Sequence, residues 1–260
     1  MTHNLQAGGF AVTYTESKIE APVVWEKHCH TQYEMISVLE GDISVMLEGS
    51  SYRLRAGQAV FVPPLFYHAI TSNRQGLYRR VTVLFDLAAI PEALRPHFQG
   101  KNAALTVFSG RQSGELAMVC RERDQALYAP LGESLMIALL YGDMQAKPAD
   151  TVAEADEFLQ KIIAYIDAHL REKILLGDLA RHTSRSASSV SHLFEQKMGI
   201  TPKQYILQKK LALAHKLISG GMSPTLAAMQ IGYDNYSNFY RMYRKVFAAA
   251  PSGRSEAGSV

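Results

Sequence analysis

The apolar and polar positions along this chain change period twice. Up to about residue 85 the apolar residues come in short runs or alternate with polar ones. Val45-Met46-Leu47 follows the turn signal Glu40-Gly41-Asp42, and Tyr52-Arg53-Leu54-Arg55 alternates ahead of Ala56-Gly57. Ala59-Val60-Phe61-Val62 is stopped by Pro63-Pro64, and Arg80-Val81-Thr82-Val83-Leu84-Phe85 follows. Short strands punctuated by turn residues at about eight- to twelve-residue spacing predict a sandwich or barrel. Its boundary is expected near Ile90-Pro91.

From about Ser113 to Gln145 the spacing turns helical. Leu116, Val119, Cys120 and Leu127 form one stripe, and Leu131, Leu135, Ala138, Leu139 and Met144 form another. With Tyr128-Ala129-Pro130 between them, they predict a helical hairpin. Lys147-Pro148-Ala149-Asp150 reads as a linker, and a helix from about Ala153 to Leu170 opens a second domain.

The last third holds one helical pattern twice. Asp178 caps a short helix with Leu179 and Ala180 inward, and His182-Thr183-Ser184-Arg185 turns the chain. Ser186 caps a second helix, stopped at Gly199. Within it Val190, Leu193 and Phe194 face the domain, leaving Ser188, Ser189, His192 and Gln196 outward. In the second copy Ser223 caps and Pro224 begins a helix, Ile231-Gly232-Tyr233 turns, and a helix runs from about Tyr236 to Phe247. Phe239, Met242, Tyr243 and Val246 are its buried stripe. Ser237, Asn238, Tyr240, Arg241, Arg244 and Lys245 lie outside it. Ala180 and Ala228 are small enough for close helix crossings. Between the copies a helix from Pro202 to Ile218 has a packed face of Ile206, Leu207, Leu211, Ala214 and Leu217, with Lys203, Lys209, Lys210 and Lys216 opposite.

Charge sharpens the pattern. The 260 residues carry a formal net charge of +3, but residues 1–150 sum to −2, residues 151–260 to +5, and the stretch from Gly177 onward to +7. A basic segment joined to a slightly acidic one fits a polyanion binder, though a solvated basic face gives the same count. Arg241 suits guanine and Asn238 adenine; Arg244, Lys245, Lys209 and Lys210 suit phosphates. A rigid connector would hold the two readers on one face of the duplex, about one turn (roughly 34 Å) apart. The two cysteines, Cys29 and Cys120, supply no disulfide framework, and no apolar run is membrane-length, so a cytoplasmic protein without membrane contact is expected.

With these motifs in place, residues 161–247 resemble the C-terminal domain of the AraC/XylS family of bacterial transcription regulators. The match lies in DLARHTSRSASSVSHLFEQKMGITPKQY, LALAHKLI and IGYDNYSNFYRMYRKVF. The resemblance implies that helices 186–198 and 236–247 are recognition helices on promoter DNA. Three positions depart from the family pattern. Thr183 and Arg185 replace apolar residues, which would loosen the first turn. His192 stands where arginine is common, so the first helix would read bases less strongly or with pH dependence. Ala248 replaces a glycine before Pro251 and Gly253-Arg254-Ser255, so the last helix would end differently.

In the N-terminal part His28, His30 and Glu34 form an HxHxxxE pattern followed by Gly41, and Gly57, Pro63 and His68 come later. These spacings resemble the motifs of the cupin barrel, with Leu65 where cupins have glycine and Asn73 displaced by one. Three histidines and a glutamate suit iron, manganese, nickel or zinc, but the same residues equally form the polar lining of an effector pocket. Trp25, Tyr33, Phe66 and Tyr67 lie close by, as sugar-facing aromatics or as core.

The expected architecture is α+β multidomain: a cupin-like effector-binding β-barrel over 1–112, a helical hairpin over 113–147, and an all-α domain with two helix-turn-helix motifs over 153–250. The expected function is a ligand-responsive, sequence-specific transcription regulator. It would act as an activator of carbohydrate or small-metabolite genes, through a sugar or metabolite effector and RNA polymerase. The hairpin would pair two subunits or merely cover its own barrel. Effector contacts are expected from His28, His30, Glu34, His68, Trp25 and Tyr33. No cofactor is required, though the cupin pocket admits a divalent metal. The rival is a metal-dependent cupin enzyme with an accessory helical domain; a third reading is a constitutive DNA binder whose barrel only dimerises.

Overall fold

Strand-forming residues dominate the first part of the chain, and the computed structural model arranges them in two antiparallel sheets. It describes residues 1–25, 27–64, 66–99, 104–107, 110–122, 124–145, 154–247 and 250–251. The strands are β1 (Thr2–Ala7), β2 (Phe10–Ile19), β3 (Tyr33–Glu40), β4 (Asp42–Leu47), β5 (Ser50–Arg55), β6 (Gln58–Val62), β7 (His68–Ser72), β8 (Gly76–Phe85), β9 (Ala104–Val107) and β10 (Glu154–Ala155). One sheet has the order β1-β2-β8-β3-β6-β9 and the other β10-β5-β4-β7. Gly41 (φ +117°) makes the tight turn from β3 to β4. That conformation is cheap only without a Cβ, and a Cβ there would lie 3.0 Å from the Tyr78 ring.

The alternation of β3 and β8 splits the apolar residues between two cores. Ile36, Val38, Val60, Val62, Ile43, Val45 and Leu54 fill the space between the sheets. Val81, Val83, Phe85, Met35 and Phe61 face the other way, against helices. Those helices are α1 (Arg95–Gln99), α2 (Gly110–Arg121) and α3 (Gln125–Gln145). Leu116, Val119, Cys120, Met136, Leu139 and Leu140 dock the α2–α3 hairpin on the sheet. Burial pushes the Cys120 thiol up to about 11, which makes it a packing residue.

Two expected boundaries move. Ile90 is fully packed in the same core as the hairpin, so the chain does not leave the domain near Ile90-Pro91. The hairpin turns after Arg121, where Asp124 accepts from the Leu127 N–H at 3.1 Å, and Pro130 sits inside α3. One early proline removes a single ladder bond near the helix start, which a helix of this length tolerates. The stretch 147–150, the Leu65 position, Ala248 and residues 253–255 lie outside the described residues, as does the Met144 side chain.

The chain divides into two compact units, Met1–Ala155 and Asp156–Val260. The barrel and hairpin are thus one unit, and β10 pairs with β5 at residues expected to belong to the second domain. Among the described residues no helix is long and apolar enough to cross a membrane.

The Asp42–Arg53 ion pair of the first unit carries a pH signature. Arg53 donates two hydrogen bonds to Asp42, at 2.8 and 2.6 Å, and Asn73 Nδ2 adds one at 2.8 Å. Asn73 therefore belongs to this network and not to the histidine pocket. The Arg53 bonds, with Asn73 and against the cost of burial, hold the Asp42 carboxyl down at about 2. A depressed carboxyl stabilises the fold above its unfolded pKa of about 3.9, and that contribution disappears as pH falls toward 2. Asp42→Asn should lose about 1–2 kcal/mol at pH 6 and only a small remnant near pH 2. Urea titrations at several pH values, read through Trp25 as the single tryptophan, check the convergence.

Candidate DNA interface and effector pocket

The second unit is helical: α4 (Glu157–Ala168), α5 (Leu176–His182), α6 (Ala187–Met198), α7 (Pro202–Ser219), α8 (Pro224–Gln230) and α9 (Tyr236–Phe247). Local capping fixes most of these boundaries. Ser186 accepts from Ser189 N at 3.2 Å, Ser223 from Leu226 N at 3.3 Å, and Asn235 from Asn238 N at 3.1 Å. Thr201 and Gln204 form a reciprocal capping box ahead of Pro202. Helix α5 begins earlier than expected: Asp178 sits within its first turn and accepts from Leu175 N at 2.8 Å.

The two helix-turn-helix units repeat one another. Both turns close with the same bond, Arg185 N to Ala180 O and Tyr233 N to Ala228 O, each at 3.0 Å. Ser184 (φ +53°) and Gly232 (φ +77°) take the same left-handed place. Thr183 and Arg185 do not loosen the first turn. The Thr183 hydroxyl donates to Leu179 O at 2.8 Å, and the Arg185 guanidinium stacks 5.4 Å from the Phe158 ring. Val190, Phe194 and Met198 bury one face of α6, as Phe239 and Tyr243 bury one face of α9.

The outward faces then correspond. Ser188, His192 and Gln196 are exposed on α6, with Ser189 half-buried at its first turn; Ser237, Asn238, Arg241, Arg244 and Lys245 face away from the core on α9. Arg241 Nη2 donates to Asn238 Oδ1 at 2.6 Å, which restrains both side chains before any base is met. The matching positions of α6 hold Ser189 and His192.

Lys209 and Lys210 are not part of this surface. Helix α7 runs through the middle of the unit, with Tyr205, Leu211, Ala214 and Ile218 buried around it. Each of the two lysines is only 9% exposed. Lys209 lies 5.8 Å from the Tyr205 ring and pairs with Asp167 at 3.3 Å. Lys210 Nζ donates to Glu172 O at 2.5 Å and Ile231 O at 2.8 Å, and burial pushes its pKa down. It therefore pins the turn ahead of α9. Only Lys203 and Lys216 of the expected cationic face reach solvent.

In the first unit, His28 and His68 meet as backbone bridge partners. The imidazole nitrogens of His28, His30 and His68 lie within 4.8 Å of one another. Glu34 Oε2 is 3.0 Å from His30 Nε2 and 2.9 Å from His68 Nε2. His30 Nδ1 donates to Gln32 O and His68 Nδ1 to Phe66 O, both at 2.9 Å. A carbonyl only accepts, so both Nδ1 atoms carry hydrogen, and both Nε2 atoms are turned toward the carboxylate. His68 Nε2 is buried and lacks an aligned hydrogen bond to its near neighbour. Such an array needs positive charge at its centre. Burial works to raise the Glu34 carboxyl, but the His30 and His68 rings beside it outweigh burial and hold the pKa well below the ordinary range. Burial likewise lowers His68, yet Glu34 carries it upward overall.

Trp25 packs beside this pocket, 5.5 Å from Tyr78, and Phe66 lies against the same core. Tyr33 does not join them. It stacks on Phe85 at 5.5 Å and meets Phe61 at 5.7 Å, within the sheet–helix core. Glu34 faces the space between the sheets, so its neighbour Tyr33 must face away.

Known proteins repeat both halves. A family model described as a helix-turn-helix domain matches residues 179–254, spanning both reading helices, and one described as a cupin domain matches residues 18–78. The probable transcriptional regulator LumQ of Photobacterium leiognathi is 24% identical over 233 residues, covering 86% of this chain and 90% of its own. The transcriptional activator RhaS of Klebsiella pneumoniae is 22% identical over 240 residues, covering 86% and 85%. A crystal structure of ToxT from Vibrio cholerae aligns with a TM-score of 0.41 at 12% identity, covering 94% of this chain and 96% of its own. The chain is a transcriptional regulator that carries a cupin domain ahead of a paired helix-turn-helix domain, the arrangement of the AraC/XylS-type regulators it resembles.

Proposed function

We propose that this regulator is a cytoplasmic, effector-gated activator that binds promoter DNA through α6 and α9 and carries no catalytic activity of its own. The observation that carries this reading is the pair of outward polar faces in the same structural register, Ser188-Ser189-His192-Gln196 and Ser237-Asn238-Arg241-Lys245. Activation through RNA polymerase is favoured because relatives are named activators, among them RhaS and the XylDLEGF operon activator of Pseudomonas putida. The barrel would sense a small molecule, with carbohydrate or small-metabolite genes as targets. Ligand would shift the population of the DNA-competent state in proportion to its differential affinity.

Pairing of two chains is supported by α3. Its outer stripe includes Leu127, Pro130, Leu131 and Tyr141, with Leu127 68% and Tyr141 56% exposed. An apolar stripe of this kind is suited to a second copy of itself across a two-fold axis.

His28, His30, His68 and Glu34 fit a divalent ion of the iron, manganese, nickel or zinc class, since two of the rings are fixed with Nε2 outward by backbone carbonyls. A bound ion would supply a Lewis-acid position for an oxygen-bearing effector. The same four residues are what keeps the cupin-enzyme reading open as the second possibility. Metal analysis of the purified protein should find about one ion per chain and its loss in His68→Ala. An ion-free wild type with unchanged DNA binding would reduce the cluster to a polar lining. Turnover by the metal-loaded protein in the absence of DNA would favour the enzyme.

A further inference from the structure

The wall of the barrel that faces the second sheet is not uniformly apolar. Directly opposed residues of neighbouring strands share a face. Arg80 is opposed by Thr15 and Val38, and Thr82 by Thr13 and Ile36. Tyr78, two residues earlier on the same strand, lies in the cluster with Ile36 and Val38. Tyr78, Arg80 and Thr82 therefore stand on the inner wall, the one Glu34 also occupies.

Each of the three has a buried polar atom without an aligned hydrogen bond, Tyr78 Oη, Arg80 Nε and Thr82 Oγ1, with the Arg80 guanidinium close beside Tyr78 Oη. Tyr78 is 2% and Thr82 9% exposed. Buried polar atoms are nearly always paired in folded proteins, so three without an aligned bond on alternate residues of one strand mark a place where a partner binds. The adjacent arginine shows the contrast. Arg79, on the opposite face, is paired with Glu16 at 3.0 Å and Glu40 at 3.1 Å. Among the described residues Arg80 has no carboxylate partner. Its guanidinium instead lies 5.9 Å from the ring centroids of both Trp25 and Tyr78.

A planar guanidinium held beside aromatic faces, with two hydroxyls next to it, is matched to a planar anion that accepts several hydrogen bonds at once. A neutral sugar would leave the half-buried guanidinium without a direct ion partner. We propose that the barrel ligand is a small organic carboxylate, its carboxylate seated on Arg80, with the Thr82 and Tyr78 hydroxyls completing the contacts and its body against Trp25. This rests on the reading of the barrel as the effector site and narrows that effector to an acid.

Trp25 is the only tryptophan, so its fluorescence reports on this place alone. Iodide and acrylamide quenching of the full chain, at constant ionic strength, would be compared with and without acetate, phenylacetate and phenylacetamide. Phenylacetate should protect Trp25 from iodide saturably, acetate more weakly, and the isosteric amide not at all. Arg80→Gln should lower iodide quenching several-fold, leave acrylamide quenching unchanged and abolish the protection. Arg80→Lys, which keeps the charge but loses the planar fork, should retain iodide quenching and show weaker protection. Equal protection by phenylacetate and phenylacetamide, or wild-type iodide quenching in a folded Arg80→Gln protein, would overturn the proposal. DNA affinity measured on the same samples separates the two readings. Charge-selective protection with unchanged DNA affinity would leave the carboxylate site standing and remove the effector role.

Discussion

Arg241→Ala should weaken binding of the preferred DNA by about 1–3 kcal/mol, roughly 5- to 150-fold, while leaving binding to unrelated DNA nearly unchanged. The expectation follows from position. Arg241 projects from the exposed face of α9, whose opposite face is anchored by Phe239 and Tyr243, so losing the side chain removes a contact without disturbing the fold. Its hydrogen bond to Asn238 Oδ1 makes the two residues a unit. Asn238→Ala should therefore cost part of the Arg241 contribution as well, and the double substitution should cost less than the sum of the single ones. Lys245→Ala should behave differently, weakening all sequences and flattening the salt dependence by about one unit of slope. Competition titrations at several salt concentrations distinguish the patterns. Equal losses on specific and unrelated DNA for Arg241→Ala would remove it from base reading.

Lys210→Met should destabilise the C-terminal unit by about 2–4 kcal/mol, since it strips the donor from two buried carbonyls at about 1–3 kcal/mol each. Lys210 Nζ joins Glu172 O, beyond α4, to Ile231 O, at the end of α8. It also lies under Gly232, where a Cβ would come within 3.4 Å of it. The cation therefore sits at the negative end of α8 and fixes the turn from which α9 projects. Loss of that pin should impair reading by α9 more than reading by α6. Chemical unfolding followed by helical circular dichroism, with binding to DNA altered in one half-site at a time, checks both parts. A stability change under about 0.5 kcal/mol, the scale of an ordinary surface substitution, would return Lys210 to the role of a phosphate-facing residue.

Lys210 and Arg241 differ in how far their roles can be read from sequence. Arg241 is legible because α9 has one strongly apolar face, and everything opposite it is solvent. Helix α7 carries lysines opposite an apolar stripe too, but it lies between the two helix-turn-helix units, and no local pattern says that a helix will be surrounded. A lysine stem is apolar enough to be buried wherever carbonyls meet its tip. Caps and turns at Ser186, Ser223, Gly199 and Gly232 are readable because their physics is confined to a few residues. Asp178 sits a fraction of a helix away from its expected place because an acidic residue suits the inside of a first turn as well as its edge; Pro130, the sixth residue of α3, is instead tolerated inside the helix by the packing of the hairpin.

The barrel is harder to read. The resemblance to the cupin motifs picks out His28, His30, Glu34 and His68, and the structure brings all four together. Tyr33 falls on the other side because β3 is buried on both faces, Met35 on one and Ile36 on the other, so its sequence shows no alternation to fix the parity. Arg80 passes as an ordinary strand residue. The signal is present in Tyr78, Arg80 and Thr82, polar at every second position. It gains meaning only once the register sets that face toward Glu34.

The central claim is that two helices of one domain read DNA in tandem. Selection of bound sites from a random duplex pool by the wild type, His192→Ala and Arg241→Ala tests it most directly. Two preferred blocks about one helical turn apart are expected, with Arg241→Ala erasing preference in one block and His192→Ala weakening it in the other. A single block, or two blocks that neither substitution alters, would contradict it.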